Sequence, residues 1–208
     1  MSVVHNLDTI TAWVREHICT EIQLKVPPDS DRAPTDAGYD YQLTTPAAFP
    51  LYIPDRDKLP PGVLSPVPSV CVRFLKGSEQ LTGKTGSMGI QLCFSTWDTG
   101  LHGEDILHPV EGEPGQFRRW SGKEAEAFFQ RSGEGWRDAW NFVDIALRKL
   151  GNTISVGDCE LDRSVPFEYG PFTEQGEIIE AYPLWYAWVS FSVIYPLRRN
   201  AEDIEQYL

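Results

Sequence analysis

The sequence predicts an α+β fold in which about four mainly antiparallel strands form a sheet and two principal helices pack on one of its faces. Two segments repeat apolar residues at helical spacing, near residues 6–24 and 135–151. Four shorter segments have the composition of strands: 68–75, 88–95, 154–161 and 184–195. The whole chain of 208 residues is therefore predicted to be a single domain, 1–208.

The first helix is predicted from an apolar stripe at spacings of three and four, and Asn6 or Asp8 can cap its first turn. The stripe consists of Leu7, Ile10, Val14, Ile18 and Ile22. Periodicity is then lost over residues 26–68, where ten prolines remove backbone donors and break both helix and strand. This stretch is predicted to be a long Pro-rich loop insertion.

An antiparallel pair of strands with one buried face is predicted next. In the first strand Val70, Val72 and Phe74 point one way, while Cys71, Arg73 and Leu75 point the other. The second strand places Met88, Ile90, Leu92 and Phe94 on one face. The stretch between them, SEQLTGKTG at residues 78–86, is predicted to be turns. A second loop insertion, rich in glycine and charge, is predicted over residues 99–135.

The helix that begins near Gly135 has the strongest local pattern, and Gly151-Asn152 is expected to end it. Its predicted apolar face consists of Trp136, Ala139, Trp140, Val143, Ala146, Leu147 and Leu150. Phe142 and Ile145 lie off that face, so they are predicted to form a second contact surface. They are candidate subunit-interface residues.

The last strand, 184–195, is apolar on both sides. Trp185, Ala187, Val189, Phe191 and Val193 share one face, and Tyr186, Trp188 and Ile194 share the other. Such a strand is expected to be central in the sheet or covered by a partner. Tyr186 and Trp188 are therefore also candidate subunit-interface residues.

The composition excludes several classes of function. The chain has 30 acidic and 18 basic residues and a formal net charge of -12, which disfavours binding to a phosphate backbone. No apolar run is long enough to span a membrane and the start of the chain lacks a signal-peptide pattern, so a cytosolic protein without a membrane partner is expected. The four cysteines are scattered singly, which predicts buried thiols rather than disulfides.

Motifs for catalysis are incomplete. His102, Glu104, Asp105 and His108 are suitable metal ligands, but their spacing does not bring them to one point, and a solvated acidic loop is favoured over a metal site. Residues 34–40 (PTDAGYD) resemble one motif of the trimeric dUTP pyrophosphatases, yet that family's other motifs are missing. The sequence therefore predicts no catalytic residue, no metal and no cofactor. A metal-dependent nucleotide hydrolase that uses Asp36, Asp40 or His102 is the alternative.

Four blocks, taken in order, resemble the tail-terminator, or tail-completion, proteins of long-tailed bacteriophages and prophages. They are residues 68–74 (PSVCVRF), 89–94 (GIQLCF), 135–143 (GWRDAWNFV) and 182–188 (YPLWYAW). In that family a glycine-aromatic-basic-Asp start opens the second helix, and a Pro-aromatic segment opens the last long strand. The two loop insertions are larger than is typical of the family.

The resemblance implies a structural virion protein, not an enzyme, whose subunits form a ring, commonly a hexamer. The ring would cap the completed tail tube and dock onto a head-completion or connector protein, and another head-tail joining role is an alternative. DNA would pass through the ring without specific binding. The expected location is the neck region of the virion tail, reached from the host cytoplasm during assembly.

Overall fold

A computed structural model describes residues 3–27, 42–80, 82, 84–98, 107–110, 112–119, 135–179, 181 and 183–197. In this part of the chain there are two α-helices, α1 (Val3–His17) and α2 (Trp136–Asn152), and two short 3-10 helices, Cys19–Glu21 and Arg56–Lys58. The strands are β1 (Leu24–Lys25), β2 (Leu43–Thr44), β3 (Ala47–Pro50), β4 (Ser69–Gln80), β5 (Thr85–Trp97), β6 (Leu107–Pro109), β7 (Phe117–Arg119), β8 (Ser155–Val156), β9 (Cys159–Leu161), β10 (Glu168–Pro171), β11 (Thr173–Glu174), β12 (Glu177–Ile178) and β13 (Leu184–Pro196). The α+β class is confirmed, with more strands than the four predicted.

The main sheet has seven strands in the order β3-β4-β5-β13-β9-β8, with β10 also paired to β13. The long strand β13 pairs with β5 along its whole length, from Leu184 opposite Trp97 to Pro196 opposite Thr85. Its other side pairs with β9 and β10, so its predicted central position is confirmed. Within this sheet β3 and β4 are parallel, and the other pairs are antiparallel.

One face of the sheet forms the hydrophobic core with both helices, as predicted. The predicted stripe of α1 is buried at Leu7, Ile10 and Val14 and continues to Ile18 just beyond the helix. The core side of the sheet supplies Val70, Val72, Met88, Ile90, Leu92, Phe94, Ala187, Val189, Phe191 and Val193. Alternation along β4, β5 and β13 therefore places one set of side chains under the helices and leaves the other set on the opposite face.

The prediction that Phe142 lies off the apolar face of α2 is wrong, because this side chain is fully buried in the core. Its ring packs against Phe94 of β5, with ring centroids 4.7 Å apart. The buried arc of α2 is rotated toward Phe142 and away from Trp136, which is 44% exposed. The predicted face was displaced because it counted Trp136 and Trp140 as buried residues. A tryptophan can pack at the margin of an apolar face while part of its ring stays exposed to water.

Three further predictions need correction. The stretch 154–161 is a hairpin of β8 and β9, turned at Gly157, whose φ of 58° suits glycine. Most of the predicted turn at 78–86 is strand, because β4 extends to Gln80 and β5 begins at Thr85. The Pro-rich insertion contributes β3 to the main sheet, and its residues 28–41 lie outside the described part of the chain.

Candidate functional site

The sheet face opposite the helices, here called the open face, carries a partly covered apolar pocket. Two segments form its rim, the chain that follows β3 and the chain from Phe172 to Ile179. The pocket has a volume of about 470 Å³ and is lined by Leu51, Tyr52, Ile53, Cys71, Arg73, Cys93, Ser95, Phe172, Ile179 and Tyr186. This size lies in the range of pockets that accept a small molecule or a side chain of a partner.

The rim after β3 is held in an unusual backbone conformation. The Leu51 amide donates to the Val72 carbonyl at 2.9 Å, and the Tyr52 amide donates to the Pro50 carbonyl at 2.8 Å. Leu51 has a φ of 64°, a left-handed conformation that is rare for a non-glycine residue. As a result Leu51 and Tyr52 are 54% and 69% exposed at the pocket rim. Strain of this kind is typical of functional segments.

The floor of the pocket contains a cross-strand pair of thiols, Cys71 on β4 and Cys93 on β5. Burial raises the pKa of Cys93 to about 12 and also raises the pKa of Cys71, while the nearby Arg73 guanidinium acts in the opposite direction. Both thiols are consequently protonated at neutral pH and are poor nucleophiles. The pocket is therefore better suited to binding than to covalent catalysis.

All four cysteines are free and buried, which confirms the predicted thiols and makes stability sensitive to alkaline pH. Burial raises the pKa of Cys19 to about 12 and that of Cys159 to about 11, from an ordinary value of 9.0. Above pH 9 the unfolded chain loses these protons while the folded chain keeps them. The free energy of unfolding should therefore fall with rising pH, by about 1.4 kcal/mol per pH unit for each such thiol.

Urea unfolding under reducing conditions, from pH 8 to pH 10.5, measures this slope. In Cys19→Ala the slope above pH 9 should be shallower by the contribution of one thiol, whatever the stability of the variant at pH 7. An unchanged slope would contradict the burial of an un-ionised Cys19.

The structure separates the four candidate subunit-interface residues. Tyr186 lines the pocket and meets Phe172 edge to face, with ring centroids 6.3 Å apart, and burial raises the pKa of its phenol. Trp188 follows on the same face of β13, where its Nε1 donates to the Pro171 carbonyl at 2.9 Å. Ile145 is half-buried against the core on the helix side. Tyr186 and Trp188 thus share the open face, whereas Phe142 and Ile145 do not reach it.

Apart from the pocket, a cluster of polar residues lies where the insertion 99–135 leaves and rejoins the fold. Lys25 Nζ is 2.5 Å from Asp98 Oδ2, and Asp98 is 5% exposed. The Asp98 carbonyl accepts a hydrogen bond from Trp185 Nε1 at 2.9 Å. Burial and the Asp98 charge raise the pKa of Asp138, an effect that Lys25 partly offsets. This cluster joins β1, β5, α2 and β13, so it is best explained as a structural anchor.

Gly135, at the start of α2, packs closely against Asp98 of this anchor. A Cβ added there would lie 2.7 Å from the Asp98 Cβ and 2.9 Å from the Asp98 carbonyl oxygen. Because backbone must move to accept it, Gly135→Ala should lower the free energy of unfolding by about 1–3 kcal/mol. Gly151→Ala is the matched control, since its added Cβ meets open space near the end of the same helix. Chemical denaturation of both variants tests this, and equal stabilities would contradict the close packing.

The remaining candidates from the sequence lie mostly outside the described residues. These are residues 34–40, together with His102, Glu104 and Asp105, and only the backbone of His108 is described, in β6. Among the residues that the structure describes, no three His, Cys, Asp or Glu side chains group to hold a metal ion. Within those same residues, no helix has the length and apolar character needed to cross a membrane.

Comparison of the chain with family models, curated proteins and solved structures finds no match. The open face is therefore the structural feature from which a function can be inferred. Sequence reasoning missed Leu51, Tyr52, Arg73 and Ile179 as pocket residues. Arg73 carried a usable indication, because it follows Cys71 on the strand face away from Val72. In the rim segments Leu51 and Tyr52 are visible in sequence as apolar residues of the Pro-rich insertion, but their place at the pocket depends on tertiary packing.

Proposed function

We propose that this protein is a structural virion subunit of a long-tailed bacteriophage or prophage that forms a ring on the completed tail tube. The ring docks the tail onto a head-completion or connector protein in the neck region. Support comes from the ordered resemblance of four sequence blocks and from a fold in which, among the described residues, two helices cover one sheet face while the other carries an apolar pocket. Self-association through the open face is the central step of the proposal.

The observation that carries the proposal is the apolar character of the open face and its rim. Leu51, Tyr52 and Ile179 are exposed beside half-buried Tyr186 and Phe172. Exposed apolar residues grouped in this way mark protein contact sites, and tyrosine and arginine are enriched in such sites. The face therefore suits contact with a neighbouring subunit better than contact with water.

Charge supports the proposed passage of DNA. The formal net charge of -12 would repel a phosphate backbone, so an acidic lumen would let DNA slide without specific binding. The proposed partners are therefore other copies of this chain, commonly six, together with the tail-tube protein and the head-side protein.

We also propose that the chain is not an enzyme. The polar groups of the open-face pocket are two protonated thiols, a guanidinium, a hydroxyl and two phenols, which do not form a base-activated nucleophile. Incubation with a nucleotide panel and divalent metals should give no turnover above background. Hydrolysis of dUTP that is lost in Asp40→Asn would instead support the nucleotide hydrolase alternative.

Self-association through the open face can be tested by substituting one leucine at the pocket rim and one control leucine elsewhere. Leu51→Asp places a charge on the pocket rim, and aspartate tolerates the left-handed backbone found there. Leu43→Asp is the matched control, because Leu43 is 57% exposed on β2 and is not part of the pocket lining. Leu51→Asp should weaken association at least about tenfold, equivalent to about 1.4 kcal/mol, while Leu43→Asp should not.

Sedimentation velocity across a range of protein concentrations, followed by negative-stain electron microscopy, measures the effect. The wild-type chain should form closed rings of one size. Rings that persist in Leu51→Asp would exclude the open-face rim from the contact.

A further inference from the structure

The open-face pocket has one charged group in an apolar setting. Arg73 is exposed, and it is the only charged side chain among the described residues that line the pocket. No carboxylate of the described residues forms a salt bridge with it. Arg73 lines the pocket together with tyrosine, phenylalanine and isoleucine side chains, and this combination matches a carboxylate that is flanked by an apolar side chain. The pocket therefore selects for that combination in whatever occupies it.

The opposite edge of the same sheet presents this combination. Glu160 on β9 is exposed and pairs across the ladder with Ile194, which is 37% exposed. Ile154, at the start of the β8–β9 hairpin, is 70% exposed, and Asp158 in the hairpin turn is exposed as well. Carboxylates and aliphatic side chains are thus adjacent at this edge, here called the acidic edge (Ile154, Asp158, Glu160 and Ile194).

The two surfaces lie apart in the sheet. The pocket involves β4, β5, the start of β13 at Tyr186 and the segment that follows β3, whereas the acidic edge involves the β8–β9 hairpin and Ile194 near the end of β13. One subunit can therefore offer its pocket to a second copy while its own acidic edge stays available for a third. Contacts of this heterologous kind close into a ring when the rotation between subunits allows it.

We propose that the open-face pocket of one subunit binds the acidic edge of a second copy of this chain, with Arg73 paired to Glu160 and its ladder partner Ile194 against the apolar rim. The inference rests on the proposed ring-forming function and identifies the two surfaces that meet. Pairing of two pockets face to face is disfavoured, since it would bring two Arg73 guanidinium groups together in an apolar contact.

Charge reversal at the two positions tests the contact. Arg73→Glu and Glu160→Arg should each raise the dissociation constant for assembly at least about tenfold, because each places like charges opposite one another. The double variant restores an opposite pair and should assemble within about threefold of wild type. Glu16→Arg is the matched control, because Glu16 is an exposed glutamate on α1 and belongs to neither surface. Circular dichroism confirms that each variant is folded.

The assay is sedimentation velocity with native mass spectrometry of the purified full chain. Weakened assembly of each single variant, with assembly recovered in the double variant, would support the contact. Rings that persist in both single variants but are lost in Leu51→Asp would overturn this pairing and leave the proposed function intact. Association that stops at two subunits would overturn the head-to-tail order, and a wild-type chain that stays monomeric would overturn both proposals.

Discussion

Replacing Phe142 by alanine is expected to lower the free energy of unfolding by about 3–5 kcal/mol. The side chain has no exposed surface and contacts Phe94 at a centroid distance of 4.7 Å, in the layer between α2 and the sheet. Truncation removes apolar contacts and leaves a cavity that the rigid strand β5 cannot fill. Phe142→Asp should prevent folding, because the variant would bury a carboxylate in this layer.

Trp136→Ala is the control for Phe142→Ala, because Trp136 is a larger aromatic residue on the same helix but is 44% exposed. Its loss should cost about 1 kcal/mol or less. Urea unfolding monitored by circular dichroism compares the two variants. A Phe142→Ala protein with wild-type stability and impaired assembly would show that Phe142 is an interface residue after all.

Replacing Lys25 by methionine is expected to lower the free energy of unfolding by about 3 kcal/mol. The substitution keeps most of the aliphatic stem but removes the ammonium group 2.5 Å from the Asp98 carboxylate, whose side chain is only 7% exposed. Asp98 and Asp138 would then repel each other without this intervening cation. The expected loss stays at the low end of the range for buried pairs, because the Lys25 side chain is 25% exposed.

Lys58→Met is the matched control for this ion pair. Lys58 and Asp55 are 3.3 Å apart, with side chains that are 69% and 80% exposed. Loss of this ion pair in Lys58→Met should therefore change the free energy of unfolding by less than about 1 kcal/mol. Thermal and urea unfolding at pH 7 measure both variants. Equal, small effects would show that the Lys25–Asp98 pair does not anchor the ends of the insertion.

Local pattern was enough to predict α1 and the central strands of the fold. The stripe on α1 and the alternation along β4 and β5 come from residues whose burial follows directly from periodicity. Periodicity could not predict the rotation of α2 about its axis, because that angle depends on the shape of the sheet beneath Phe142. It also could not predict β3, a four-residue strand whose pairing with β4 comes from tertiary contact.

The candidate site was less predictable than the fold. The position of Tyr186 and Trp188 on the sheet face away from the core could be predicted because β13 is apolar on both faces, a property visible in sequence. The rim residues Leu51 and Ile179 directly follow two short strands, β3 and β12, that are distant in the chain and whose ends meet over the sheet. No sequence pattern predicted that Asp98 is buried in an ion pair, since its partner Lys25 is 73 residues away.

Deletion of this gene from the genome that encodes it, with electron microscopy of the particles formed, tests the central claim most directly. The proposed function predicts tails of irregular length that lack a terminal ring and do not join heads. Wild-type protein and Leu43→Asp should restore capped tails of uniform length, whereas Leu51→Asp should not. Capped tails of normal length, joined to heads in the absence of the protein, or a genome without tail genes, would contradict the claim.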